Sequence, residues 1–297
     1  MGTTTKIKMF MKELTIPIGK GVRQKDTISP KLFTAALQHA MINLDWEDKG
    51  IMIDGKKLNN LRFVDDIVLI SHSSAELQSM VNDLDKVGKA IGLEMNRSKT
   101  EVTRNSWTTA DPITVGGIPP SVCRQIHLSG KTAWAAMGSI KEAAQLISSK
   151  KIRAELFYST VLPALCYGSE TWANNKTSST ILTRTQRALE RSLLGTNRRE
   201  QREQNLRSTD LRQKSGIRDA VEYTATAKYR WAGHVVRRQD DRWTNRITFW
   251  YPRDVKRTLS RPATRWSDAL RKFNTPDGNW SQAAQDRNKW KDVCARR

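Results

Sequence analysis

Leu61-Arg62-Phe63-Val64-Asp65-Asp66-Ile67-Val68-Leu69-Ile70 sets two adjacent acids inside an apolar, β-branched run that reads as strand on both sides. In a continuous strand neighbouring side chains point to opposite faces, so Asp65 and Asp66 could not share a partner. If the chain turns at that dipeptide, the flanks pair as a short hairpin and both carboxylates gather at its tip. Charges beside buried apolar strands are costly unless paired or bound to metal. A hard divalent cation, held by one or two carboxylates plus substrate phosphates, meets that demand. An ordinary Asp-Asp turn on a domain surface is the other reading, and the decapeptide alone does not separate the two.

The rest of the chain narrows the choice. Its 297 residues carry a formal charge of +21 and a pI near 10.2, which points to a polyanionic partner, nucleic acid before membrane. The excess is uneven: residues 1–128 hold 17 Lys/Arg against 14 Asp/Glu, whereas residues 129–297 hold 34 against 16. Cys123, Cys166 and Cys294 are isolated, which supports neither a disulfide framework nor a Cys/His zinc module and implies a reducing compartment. No apolar run approaches transmembrane length and the polar start is no signal peptide, so the expected location is intracellular, nuclear or cytoplasmic, without a membrane partner.

Upstream of the aspartates stands Gly21-Val22-Arg23-Gln24-Lys25-Asp26-Thr27-Ile28-Ser29-Pro30-Lys31-Leu32-Phe33, and downstream Gly92-Leu93-Glu94-Met95-Asn96-Arg97-Ser98-Lys99-Thr100. In that order and at those separations the three strings resemble successive motifs of a reverse transcriptase palm. The nearest likeness is to the polymerase of non-LTR retrotransposons, of the RTE-like endonuclease–reverse transcriptase type, and it runs through nearly the whole chain. Three ordered blocks are far harder to meet by chance than one aspartate pair.

The resemblance implies an α+β fold. Residues 1–104 would form a partial palm, ferredoxin-like, with an antiparallel sheet and helices on one face. A linker and hairpin follow at 105–128, a mainly helical thumb-like region at 129–195, and a basic Trp/Arg-rich tail at 196–297. It implies RNA-directed DNA synthesis from an RNA template, a DNA primer and deoxynucleoside triphosphates, with Mg²⁺ or Mn²⁺ held by Asp65 and Asp66. Gly21, Arg23, Gln24 and Phe63 would lie beside the template base and incoming nucleotide. Lys99 would approach the nucleotide phosphates and protonate the leaving pyrophosphate. The family has glycine after the glutamine; Lys25 stands there, obstructing the close backbone approach that glycine permits. Two-metal phosphoryl transfer needs carboxylates from two segments. In relatives the second lies well upstream of the Gly-Val-Arg-Gln block, so the expectation is a C-terminal fragment that is inactive alone. The alternative is a non-catalytic RNA- or DNA-binding remnant.

The local signals are specific. Ile16-Pro17-Ile18 ends a strand, Ser29-Pro30 opens a helix with Ser29 as its cap, and Asp54-Gly55 marks a hairpin turn. Ser73-Ser74-Ala75-Glu76 predicts a capping box before a helix with Leu77, Met80, Leu84, Val87 and Ile91 on one face. Leu93-Glu94-Met95 reads as the returning strand, and Ile126 to Gly130 as a reduced primer-gripping hairpin. Helices are expected at 132–148, 151–165 and 181–194. On the last of these Arg184, Arg187 and Arg191 share a flank suited to phosphates. Arg237 and Arg238 are further candidates for nucleic-acid backbone contact. Most of the tryptophans from Trp231 to Trp290 are expected in a small core, since regular spacing of large apolar side chains is more often packing than stacking on bases.

Overall fold

The computed structural model describes residues 3–9, 12–18, 27–105, 111–122, 125–251, 264–272 and 279–295. The chain is α+β and divides into two compact units, Met1–Val122 and Cys123–Arg297.

In the first unit β1 (Thr3–Met9) and β2 (Lys12–Ile18) pair antiparallel, Thr3 opposite Ile18. Helix α1 (Ser29–Ile42) begins one residue earlier than the Ser-Pro signal predicts. Ile28 already has helical dihedrals and its carbonyl accepts from Lys31 and Leu32 N, so Ser29 lies in the first turn rather than at the cap. β3 (Ile51–Ile53) and β4 (Lys56–Leu58) are joined as predicted by Asp54-Gly55, both at positive φ (48° and 75°), the conformation that selects this dipeptide. β5 (Asn60–Phe63) and β6 (Asp66–Leu69) form the aspartate hairpin.

Helix α2 (Ser74–Ala90) is capped by the Ser73 hydroxyl, which accepts from Glu76 N at 3.2 Å. The expected box is half formed. The Glu76 carboxylate is drawn instead to Ser71 Oγ and to His72 Nδ1, the latter at 3.2 Å. Leu37 and Met41 of α1, Met80 and Leu84 of α2, and Trp46 make the core, onto which Ile67, Leu69, Leu93 and Met95 pack. Gln78 on α2 pins the following loop in strand-like fashion. Its Oε1 accepts from Thr114 N at 2.7 Å and its Nε2 donates to Thr114 O at 3.0 Å, beside the buried Ile113 and Val115.

One expectation fails here. Among the described residues the strands form four separate two-stranded sheets, not the single antiparallel sheet of a palm, and the pair β7 (Glu101–Val102) with β8 (Ser121–Val122) is parallel. Leu93–Met95 is not a strand. Leu93 N donates to Gly88 O at 2.9 Å, so the amide a ladder would need closes the end of α2 instead.

The second unit is helical. The predicted hairpin at 126–130 is the first part of α3 (Gln125–Leu146), followed by α4 (Lys150–Leu165). Thr132 to Leu146 is alanine-rich and breaker-poor, and helix propagates from it back across the weaker segment. Helices α5 (Lys176–Leu193), α6 (Arg198–Glu203), α7 (Ser208–Ser215) and α8 (Ala220–Arg237) follow. Met137, Phe157, Leu162, Leu165 and Leu189 fill the main core, where burial pushes the Cys166 thiol up to about 12. Gln186 is fully buried and acts as a backbone clamp: Nε2 donates to Arg218 O at 2.6 Å and Oε1 accepts from Ala220 N at 2.7 Å, fixing the entry to α8. A second core joins α8 to a 3-10 segment (Trp266–Lys272), α10 (Trp280–Gln285) and α11 (Arg287–Ala295) through Tyr229, Leu270, Trp280 and Trp290. α9 (Trp243–Phe249) reaches it by stacking Phe249 on Trp280, 6.0 Å between centres.

Candidate functional site

The hairpin that carries the aspartates is tighter than expected and is displaced by one residue. Phe63 pairs with Asp66, so the loop is Val64-Asp65, not Asp65-Asp66. The ladder sets this register from its base, where Ile70 N donates to Asn59 O at 2.8 Å, outweighing the turn preference of two acids. Asp65 therefore stands at the tip and Asp66 on the first position of β6, on the face it shares with Phe63, Leu61 and Val68. Ile67 and Leu69 turn the other way, against the α1–α2 core. Asp65 and Asp66 are both exposed, and Phe63 is 78% exposed.

Val64 has φ +54°, a left-handed conformation that a β-branched residue adopts at a cost of about 1–3 kcal/mol. A two-residue hairpin loop ordinarily places glycine or asparagine at such a position. Strain held in place by a paired ladder on both sides is what keeps the two carboxylates at the end of the ribbon.

The hairpin is braced close to its loop. Arg62 Nη1 donates to Gln38 Oε1 on α1 at 2.8 Å. A cleft of about 190 Å³ lies beside this contact, lined among others by Gln38, Met41, Trp46, Asn60 and Arg62. Trp46, which the sequence did not single out, is 4% exposed; its Nε1 donates to Asp83 Oδ2 (3.1 Å), while Lys49 Nζ reaches the same oxygen at 2.7 Å. The Lys49 hydrogen bond outweighs burial and holds the Asp83 carboxyl below its ordinary value.

Gly21, Arg23 and Gln24 lie outside the described residues. Lys99 is exposed on the turn closed by Thr100 N to Asn96 O at 3.0 Å. Among the described residues no three His, Cys, Asp or Glu side chains gather in a group that could hold a metal ion.

In the second unit Arg184 and Arg187 are exposed and Arg191 half-buried, all on the side of α5 opposite Leu182, Gln186, Leu189 and Leu193. Partial burial, then the charge of Arg198, hold the Arg191 guanidinium below its ordinary value, with Arg187 adding to the effect against an opposing contribution from Glu190. Arg237 is half-buried, and its Nη1 donates to Ala284 O at 2.7 Å, bracing α10. Arg238 is exposed at the end of α8. Arg212 bridges the fully buried Glu190 and the half-buried Asp219, the latter at 2.7 Å. Burial pushes the Glu190 carboxyl up, and Arg212 offsets that only in part. Neither this network nor Arg198 is marked in the sequence by anything beyond charge.

Residues 3–132 match the reverse transcriptase (RNA-dependent DNA polymerase) family. A transposon-derived protein of Caenorhabditis elegans is 39% identical over 274 residues, covering 82% of this chain and 98% of that protein. The retrovirus-related Pol polyprotein of the type-1 retrotransposable element R2 of Nasonia vitripennis is 33% identical over 76 residues, 26% of this chain and 7% of the polyprotein. The family match contains the aspartate hairpin, and the likeness to the worm protein is too long to stop at the first unit. The strained hairpin, the basic second unit and these likenesses agree: the chain belongs to the reverse transcriptases of non-LTR retrotransposons.

Proposed function

We propose that this chain supplies the aspartate hairpin and a template–primer-holding surface to RNA-directed DNA synthesis, and that on its own it does not polymerise. The observation that carries the reading is the Val64-Asp65 turn, which exposes two adjacent carboxylates at the end of a ladder anchored in the core. Asp65 and Asp66 are hard oxygen donors in reach of solvent, a donor set that fits Mg²⁺ or Mn²⁺. Such an ion, when bound, stabilises charge on the reacting phosphate oxygens. The exposed Phe63 ring, on the face of Asp66, offers an apolar wall to the sugar or base of an incoming deoxynucleotide. Lys99 is the cation assigned to its phosphates, and the Arg184–Arg191 flank would hold the template–primer.

Two-metal displacement requires donors beyond one dipeptide, and the hairpin contributes a single segment. The expected result in a primer-extension assay on a homopolymer RNA template, with Mg²⁺ or Mn²⁺, is no incorporation by the purified chain. Incorporation that Asp65→Ala abolishes would show a complete site and overturn the silence.

A second reading, a nucleic-acid-binding protein without catalysis, is favoured by the concentration of positive charge in residues 129–297. It shares the binding surface and differs at the hairpin. Asp65→Asn and Asp66→Asn would leave every one of its properties unchanged, including any stabilisation by Mn²⁺, whereas metal-dependent stabilisation lost in those variants supports the polymerase hairpin.

A further inference from the structure

The two strands of the aspartate hairpin are held to the body in different ways. β6 is packed: Ile67 and Leu69 lie on the α1–α2 core. β5 adds no residue to that core, and its Leu61 and Phe63 are exposed. What β5 has instead is Arg62. It stands opposite Ile67 in the ladder, one rung before the loop, and so shares the inward face, while Asp66 and Phe63 share the outward one. Its Nη1 donates to Gln38 Oε1 at 2.8 Å. Among the described residues this is the one side-chain hydrogen bond that ties β5 or β6 to another element, since Asn60 bonds only its neighbour Asn59.

The far end of the bond is rigid. Gln38 is on α1, the helix fixed in the core by the buried Leu37, Ala40 and Met41. The near end is not. A two-stranded ribbon is marginal by itself, and this one ends in the strained Val64 turn. The cleft beside the contact leaves that side of β5 unpacked. Loss of the bond therefore frees the last rung, Phe63 with Asp66, and with it the spacing of the two carboxylates. We propose that Arg62 and Gln38 are a positioning pair, which fixes the hairpin tip against α1 and so holds Asp65 and Asp66 in the arrangement that takes up a divalent cation. The proposal rests on the metal-binding reading of the hairpin given above. It requires Arg62, a cation three residues from Asp65, to favour metal binding, although a positive charge near a metal site by itself opposes it.

The test uses the full chain with Mn²⁺ as the probe, the free ion being measured by electron paramagnetic resonance. Hairpin binding is the class of bound Mn²⁺ that a chain carrying both Asp65→Asn and Asp66→Asn loses. Gln38→Leu, which changes no charge, and Arg62→Met should each weaken that class about two- to tenfold, the range of one hydrogen bond, while the urea midpoint stays that of the parent. Combined, they should cost no more than either alone, because both delete the same bond. Gln38→Glu keeps an acceptor for Arg62 and should hold the parental affinity or better. Tighter binding in Arg62→Met would show that the arginine acts by charge, and parental affinity in Gln38→Leu that the bond positions nothing. Additive losses would show that the two side chains act separately. Each of these results overturns the pair and leaves the metal-binding reading intact. A loss of affinity that only follows a fall in the urea midpoint assigns the bond to stability and overturns the pair too. If the parent chain has no class of bound Mn²⁺ that depends on the aspartates, the metal-binding reading itself fails, and the pair with it.

Discussion

Lys228 lies wholly buried on α8, its Nζ 3.4 Å from Trp266 O and 5.7 Å from the centre of the Trp266 ring. A long hydrogen bond and a ring face replace little of the lost hydration, and burial lowers the ammonium from the ordinary 10.5 to about 8. Between those values the unfolded chain holds a proton that the folded chain has released, so stability rises with pH across that window and is flat below it. The full change amounts to about 3 kcal/mol. Lys228→Met should stabilise the second unit at pH 7 by up to about that amount and abolish the rise, as measured by urea unfolding at pH 7, 8, 9 and 10. Val64 stores a different kind of cost. Glycine accepts φ +54° without a Cβ clash, so Val64→Gly should raise unfolding stability by about 1 kcal/mol, the backbone relief less glycine's greater entropy in the unfolded chain. Loss of stability in that variant would show that the valine side chain supports the tip through packing.

At the level of elements, the packing of α8 against α11 is set by a missing side chain. A Cβ on Gly233 would stand 2.6 Å from Trp290 Cδ1, and the indole that fills the space donates to Tyr229 O at 2.8 Å. Gly233→Ala should therefore cost about 1–3 kcal/mol through overpacking, read as a lower urea midpoint with the slope preserved. Much at this scale is legible in the sequence. Asp54-Gly55 dictates its turn by dihedral preference alone, Ser73 caps α2, and Trp266, Trp280 and Trp290 do form a core. What the sequence misplaces are elements whose state is decided by distant partners. Leu93–Met95 has the composition of a strand but spends its first amide on α2. Residues 126–130 are claimed by the helix that follows. The aspartate tip was readable as a hairpin, yet its loop falls at Val64-Asp65 because the ladder from Asn59 and Ile70 fixes the count of residues left over. The arginines divide in the same way. The stripe on α5 follows from helical periodicity, but the hydrogen bond of Arg237 to α10 does not.

Over the whole molecule, charge and chemistry are partitioned between the units. Met1–Val122 carries 16 Lys/Arg against 14 Asp/Glu and holds the aspartate hairpin; Cys123–Arg297 carries 35 against 16 and holds the arginine flank. The near-neutral unit leaves the hairpin's outward face open, with Leu61, Phe63 and Val68 exposed at 39%, 78% and 54%, and has little electrostatic means of attracting a polyanion. The basic unit has that means, and both of its hydrophobic cores are built from its own residues. Counterion release depends on the number of phosphates neutralised, not on chain length. A fragment spanning residues 123–297 should accordingly bind a single-stranded oligonucleotide with the same salt slope as the full chain, and residues 1–122 should show a slope near zero. Equal division of the slope between the two fragments would place half of the phosphate contacts on the first unit, and would move the template–primer surface from α5 toward the aspartates.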